Sequence, residues 1–438
     1  MKIMPPSCPR FAPKLPPESY RAMHFAVLAQ CAGVLASQLF SSGFMLSYLS
    51  LLGATSAAIL FFLSLPNLMS FFLTLPFAYI ADQFGKKRFG SYGLLGTVVG
   101  FALIASAGFL PTEKKLGLVV LGIGVFSISL TFFSAGWFAL LEPIVPAAIR
   151  GRFFGTLRFS WQAVSILFNG LVIYVLHRYS ALSIYQSILV SVTVFLAVRL
   201  YFYRRIPEIE STRAGKSSFA QALWHSLNLP GYLPFCSYTF LLMLFTGAAP
   251  WLFGLVEKDV LHFSDYQIVL MGNLLFVGSL LGFFLGGAAV DRLGTRMVFL
   301  LCHFSFSAVL FAFLLRQSLP FSLPVVTGIL NALFGLAQAA SGIAITTEML
   351  ALISVENKSL ASALSLTLIA AGNALSGILS GKALQLGILA PSWTLGQQTL
   401  SGYDGLIAIA AVMILLLVVT LGLIPSVMRK ARWVPQGN

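Results

Sequence analysis

The chain has 438 residues, 58% of them hydrophobic and only 9% charged, whereas an ordinary soluble domain carries about 25% charged residues. With a mean hydropathy of +0.91 it has too few polar residues to cover a water-facing surface, so its solvent must be lipid. The net charge of +14 would suggest nucleic acid on a soluble protein, but the basic residues lie between apolar runs, where membrane proteins collect them, and no nucleic-acid partner is expected.

Residues 1–23 are polar and Pro-rich, without a cleavage signal, and read as a cytoplasmic tail. Crossing a bilayer takes about 20 apolar residues in a helix. Twelve such runs follow, predicted at 24–49, 57–80, 90–110, 117–142, 154–176, 182–203, 233–256, 267–290, 297–316, 323–349, 359–385 and 404–427. The polar connection 204–232 separates a six-helix unit at 24–203 from a second at 233–427, and 428–438 forms a second tail. Within the connection, Phe219, Leu223 and Leu227 recur at helical spacing, which fits either a surface helix on the inner leaflet or a plain linker. The expected fold class is an all-α membrane protein with twelve transmembrane helices in two pseudo-symmetric six-helix bundles. If the N-terminus is cytoplasmic, nineteen of the 27 Lys and Arg fall in inner segments and six in outer ones, which predicts that both termini are cytoplasmic. The expected location is an inner (plasma) membrane of bacterial type.

The turn after the second run reads Ala78-Tyr-Ile-Ala-Asp82-Gln-Phe-Gly85-Lys86-Lys-Arg88. The turn after the eighth reads Gly287-Ala-Ala-Val-Asp291-Arg292-Leu-Gly294-Thr-Arg296. Both follow small-x-x-x-Asp-x-x-Gly-x-basic at the same place in each half. Glu142 and Glu348, ending the fourth and tenth runs, repeat at nearly the same offset. Duplicated halves with a site between them are a transporter design. Gly85 and Gly294 permit backbone angles closed to other residues. Ala78 and Gly287 would allow close helix approach. Asp82 and Asp291 can serve a helix N-terminus of the other half, and the basic residues anchor at headgroups.

These turns resemble the signature of the major facilitator superfamily, approximately Gly-x-x-x-Asp-Arg-x-Gly-Arg-Arg, with Ala78 and Gln83 departing from it in the first copy. The resemblance covers nearly the whole chain. It implies that Asp82 meets the start of helix 11 near Ser359–Ala361, and that Asp291 faces the start of helix 5 near Gly151–Phe153. Asp82, Gly85, Lys86, Arg88, Asp291, Arg292, Gly294 and Arg296 would then latch the cytoplasmic side. Glu142-Pro-Ile-Val-Pro146 followed by Arg150-Gly151 loosely resembles a sugar-porter motif, and the Gly-Pro signature of drug antiporters is absent from helix 5.

Charge inside a membrane is costly and is a functional hypothesis by default. Arg158, one turn inside helix 5, reads either as an anion or hydroxyl contact or as a structural partner of Glu142. Arg199 reads as snorkelling, and Glu142, Arg150 and Glu348 as a charge network at the cytoplasmic ends. No acid is expected in the central part of helices 1, 4, 7 or 10, which argues against cationic solutes. The uncharged candidates are Gln30, Gln38, Trp137, Trp161, Gln162, Tyr238, Trp251, Asn273, Asn331, Gln338 and Asn373. Amides bond hydroxyls and aromatic faces stack on sugars, though the same residues also glue helices together. Gly278, Gly282 and Gly286, like Gly377 and Gly381, read as packing faces. No nucleophile elbow, Walker loop or H-E-x-x-H is present, so no enzyme and no cofactor is expected.

The expectation is a monomeric secondary or facilitative carrier in contact with lipid, moving a small polar solute. A sugar or related compound comes first, and proton or sodium is the candidate coupling ion. A drug or metabolite exporter and a non-transporting sensor are the alternatives.

Overall fold

The computed structural model describes residues 17–422 apart from 142, 146–149, 180, 209–226, 229, 353–357 and 397. Twelve helices in it are long and apolar enough to cross a membrane, at the places expected from the apolar runs. The first half holds helix 1 (Pro17–Ser41, continued by Phe44–Leu51), helix 2 (Ser56–Phe84), helix 3 (Lys86–Ser106), helix 4 (Thr112–Leu141), helix 5 (Arg150–Arg178) and helix 6 (Leu182–Arg204). The second half holds helix 7 (Tyr232–Thr246, then Ala249–Leu255 and Val256–Val260), helix 8 (Asp265–Leu293), helix 9 (Thr295–Leu314), helix 10 (Leu323–Leu352), helix 11 (Lys358–Gln385) and helix 12 (Gly402–Leu417, then Val418–Gly422). The face carrying the 85 and 294 turns is called here the terminal face, and the other the opposite face.

Two departures from the sequence reading stand out. Helix 7 does not stop at 256: a π-helical turn carries it to Val260 and takes Glu257 inside the span. An antiparallel hairpin, β1 (Ser392–Leu395) with β2 (Gln398–Ser401), joins helices 11 and 12 on the opposite face. Its Ser401 then starts helix 12 through a capping box with Asp404.

Helix 1 breaks at Gly43, whose φ of 80° favours glycine. The break lets helix 8 approach, because a Cβ on Gly272 would come within 2.5 Å of the Ser42 carbonyl oxygen. Gly85 and Gly294 have φ of 94° and 82°, as the turn motif requires. Gly287 fits its assigned role less well, since a Cβ there would meet nothing within 4 Å. Close packing instead falls to Gly278, Gly282 and Gly286, pressed on the helix 10 backbone. Gly377 and Gly381 press on helix 2 across the seam between the halves.

The described hydrogen bonds between the halves lie at mid-membrane or toward the opposite face. Trp251 Nε1 donates to the Phe40 carbonyl (3.3 Å), Gln162 Nε2 donates to the Phe276 carbonyl (3.1 Å), and Ser56 Oγ donates to Asp259 Oδ2 (3.2 Å). The seam is therefore drawn together on the opposite face.

Candidate functional site

A cavity of about 390 Å³ opens inside the first half, lined by helices 1, 2, 4, 5 and 6. Helix 1 supplies Gln30, Gly33 and Ser37. Helix 2 supplies Pro66, Asn67 and Ser70. Helix 4 brings Thr131, Phe133, Ser134 and Trp137, helix 5 brings Leu157, Arg158 and Trp161, and helix 6 brings Arg199. Gln30, Trp137, Arg158 and Trp161 thus come together from three separate stretches of sequence.

Arg199 does not snorkel. Its residue is 4% exposed, its guanidinium lies 4.1 Å from the Phe133 ring centroid, and its Nη2 donates to Gln30 Oε1 at 2.9 Å. Gly33 makes this possible, because a Cβ there would collide with the guanidinium. Arg199 Nε has no hydrogen-bond partner among the described residues, so a buried donor is left beside the cavity. Arg158 is half-buried with its guanidinium 5.8 Å from the centroid of Phe283, on helix 8 of the other half. No described carboxylate pairs with either guanidinium or lines the cavity. Glu142, the expected structural partner of Arg158, lies outside the described residues.

The other predicted residues divide by environment. Gln162 and Trp251 are spent bridging the halves. Tyr238 shares a 2.7 Å hydrogen bond with His303 Nδ1, whose Nε2 meets Ser341 Oγ at 3.0 Å, a chain closed within the second half. Asn331 Nδ2 donates to Glu257 Oε1 (2.8 Å) and to the Thr327 carbonyl (3.0 Å). Asn273 is buried, and its Oδ1 has no partner among the described residues. Asn373 packs against Gly247 of helix 7. Gln38 is half-buried, and Gln338 is exposed on the side of helix 10 away from the exposed Val325, Ile329 and Leu333.

At the terminal face the Asp82 and Arg150 side chains, and those of Ser359–Ala361, lie outside what is described. Asp291, Arg292 and Arg88 are exposed, and Lys86 and Arg296 are half-buried. Glu348 is buried and accepts from Thr295 Oγ1 at 2.6 Å, a neutral hydroxyl rather than the loop cation expected of it. The helix 3 N-terminus that follows Gly85 is met by Glu208, whose Oε1 accepts from Lys86 N–H at 2.9 Å. An anion at that position suits the helix dipole.

The sequence reading missed Arg199 as a cavity residue, together with Asn67, Ser70 and Thr131. It also missed Glu257, and a buried bidentate pair in which Arg316 Nη1 and Nη2 meet Asp404 Oδ1 and Oδ2 at 2.7 and 3.1 Å. Arg316 falls at the very end of the ninth predicted span, and its facing acid is 88 residues away. The one available signal for Arg199 was a glycine, Gly33, on the helix it packs against.

Twelve spans in two matched halves make this an integral multi-pass membrane protein. Residues 26–377 match the family described as Major Facilitator Superfamily, and the chain belongs to that family. It is a transporter of a small solute, not an enzyme. Among solved structures it is similar to a point mutant of the nucleoside transporter NupG (14% identity, 92% of this chain and 98% of that one covered, TM-score 0.69). It is also similar to the human organic anion transporter MFSD10 (15% identity, 93% and 100% covered, TM-score 0.65). A third is a POT family transporter in complex with 5-aminolevulinic acid (10% identity, 93% and 97% covered, TM-score 0.72). At these identities the likeness is one of fold. No curated protein matches the sequence.

Proposed function

We propose that this chain carries a small polar organic solute bearing an acidic group, bound in the cavity of the first half. The observation behind it is that Arg158 and Arg199 both reach a cavity of about 390 Å³ with no described acid in its lining. A guanidinium in low dielectric binds a carboxylate or phosphate with short, charge-assisted hydrogen bonds. Gln30, Ser134 and Asn67 can bond hydroxyls, and Trp137 and Trp161 offer aromatic faces. The sugar preference is thereby moved toward sugar-like or other organic acids. A neutral sugar remains the second reading, favoured by that amide and indole set. The organic anion transporter of the same fold fits the first reading, and the nucleoside transporter fits the second.

In this reading both termini are cytoplasmic, and residues 24–203 and 233–427 rock about the seam. The Asp82 and Asp291 turns hold the terminal face when it closes. The drawn-together opposite face then corresponds to an inward-facing state.

The test is counterflow in proteoliposomes with radiolabelled uronic acids, sugar phosphates, dicarboxylates and neutral sugars. Acidic solutes should exchange. Arg158→Gln and Arg199→Gln should each lower uptake by about tenfold or more, the worth of one hydrogen bond to a charged group. Exchange of neutral sugars but not acids would establish the second reading. An absence of flux for every solute would leave the protein a sensor.

A further inference from the structure

Two acids share the π-helical turn Val256–Val260 at the opposite-face end of helix 7, and they point to different parts of the molecule. Glu257 is 2% exposed and turned into the second half, where the Asn331 amide of helix 10 donates to its Oε1 at 2.8 Å. Asp259 is turned to the seam. Its Oδ2 accepts from Tyr403 OH of helix 12 at 2.7 Å and from Ser56 Oγ of helix 2 at 3.2 Å. Tyr403 OH also meets Ser56 Oγ at 2.8 Å. One turn of five residues therefore ties an acid buried in one half to a contact that closes the two halves. π turns inside α-helices recur at functional sites, because the extra residue leaves a local weakness in the helix.

Among the described residues, no cation holds Glu257 as a dedicated ion pair. Arg316, between helices 9 and 10, is close enough for its charge to be felt, but both of its terminal nitrogens are taken by Asp404 of helix 12. On the same turn, Lys258 pairs with Asp259 at 3.1 Å. From helix 8, Asp265 interacts with Tyr185 of the first half. From helix 10, the described hydrogen bond comes from the neutral amide of Asn331. Glu257 is thus a buried acid whose direct partner is neutral, so gain or loss of a proton changes the net charge of the turn instead of rearranging an existing pair.

The geometry points to Glu257 as a proton-binding site that governs closure of the opposite face through Asp259, which would make proton the coupling ion of this carrier. With Glu257 neutral, the turn packs as seen and Asp259 holds Ser56 and Tyr403. When Glu257 gives up its proton, two negative charges stand two residues apart on one turn, and the ionised group draws in water. The Asp259 contact then loosens and the opposite face opens. A proton taken up on that side would restore the closed face. The coupling role rests on the transport reading above, but the site can be tested without any solute.

The experiment measures the spread of the opposite face in the full chain reconstituted in lipid nanodiscs. Spin labels are placed at Leu51→Cys in the first half and Leu395→Cys in the hairpin of the second, both exposed, in a background with the four native cysteines changed to serine. Distance distributions are recorded from about pH 5 to about pH 9, the range that brackets carboxyl groups perturbed by their surroundings. The unmodified acid should shift population to the longer distance as pH rises, by about threefold or more in the open-to-closed ratio. Glu257→Gln should keep the short distance at every pH. Should the glutamine variant fail to fold, Asn331→Leu serves instead. Removing the described donor to Glu257 should displace the midpoint of the transition by about one pH unit or more. The inference is overturned by distances that do not depend on pH, by a closing of the face as pH rises, by a Glu257→Gln variant that opens like the parent, or by an unmoved midpoint in Asn331→Leu. Failure here leaves counterflow untouched, so it is separable from failure of the transport reading.

Discussion

The two halves share one topology and treat their charged residues in opposite ways. In the first half, Arg158 and Arg199 reach a cavity and no described carboxylate answers them. In the second, Arg316 and Asp404 are 0% exposed and pair through two hydrogen bonds, and Tyr238, His303 and Ser341 close on themselves. Unanswered charge next to a space is poised for a ligand. Charge matched inside the packing serves to hold helices in register. If the first-half cavity is the site, a duplicated fold need not duplicate its site, and buried polar residues of the two halves have opposite uses.

The largest test of this contrast breaks the matched pair. Asp404→Ala should cost about 3–5 kcal/mol by leaving Arg316 buried and unpaired, seen as a large drop in melting temperature by intrinsic fluorescence in detergent. The double change Arg316→Met with Asp404→Leu should recover most of that loss, because an ion pair of this kind can be replaced by apolar packing at little net cost. If Asp404→Ala melts like the parent, the second half is not held in this way. A smaller effect is expected at Gly33→Ala. The added methyl meets Arg199, so the guanidinium must leave its place over Phe133, at about 1–3 kcal/mol of packing strain. The diagnostic result is a fall in uptake at least as large as in Arg199→Gln with the fold retained, read from counterflow and gel filtration together. Smallest of all, Glu208→Gln removes the anion at the start of helix 3. It should lower stability by less than about 1 kcal/mol and leave solute affinity unchanged, which a binding titration beside a melting curve would check.

Much of the architecture could be read directly from the residues. The twelve spans follow from runs of apolar residues, and the turn motif foretold positive φ at Gly85 and Gly294. The glycine ladder of helix 8 packs where its four-residue spacing suggested. The site was only partly legible. Gln30, Trp137, Arg158 and Trp161 were singled out and do share a cavity, but Gln162 and Trp251, equally plausible by type, hold helices together. Arg199 looked like a snorkelling residue from its depth in helix 6. The direction of its side chain depends on Gly33 and Phe133, which lie on other helices. Glu257 was placed outside helix 7 because hydropathy fades at the charged run Glu257-Lys258-Asp259, while the backbone hydrogen bonds continue to Val260.

By itself, then, the sequence determined the solvent, the number of crossings, the duplication and the places where the backbone must turn. Each of these is set locally, either by apolar transfer summed over about 20 neighbouring residues or by the steric freedom of a single glycine. Only the tertiary structure decided which half holds the open charges, which amides are spent on packing, and which acid faces the seam. Those outcomes depend on what stands across from a side chain, and in a helical membrane protein that neighbour is usually on another helix, far away along the chain.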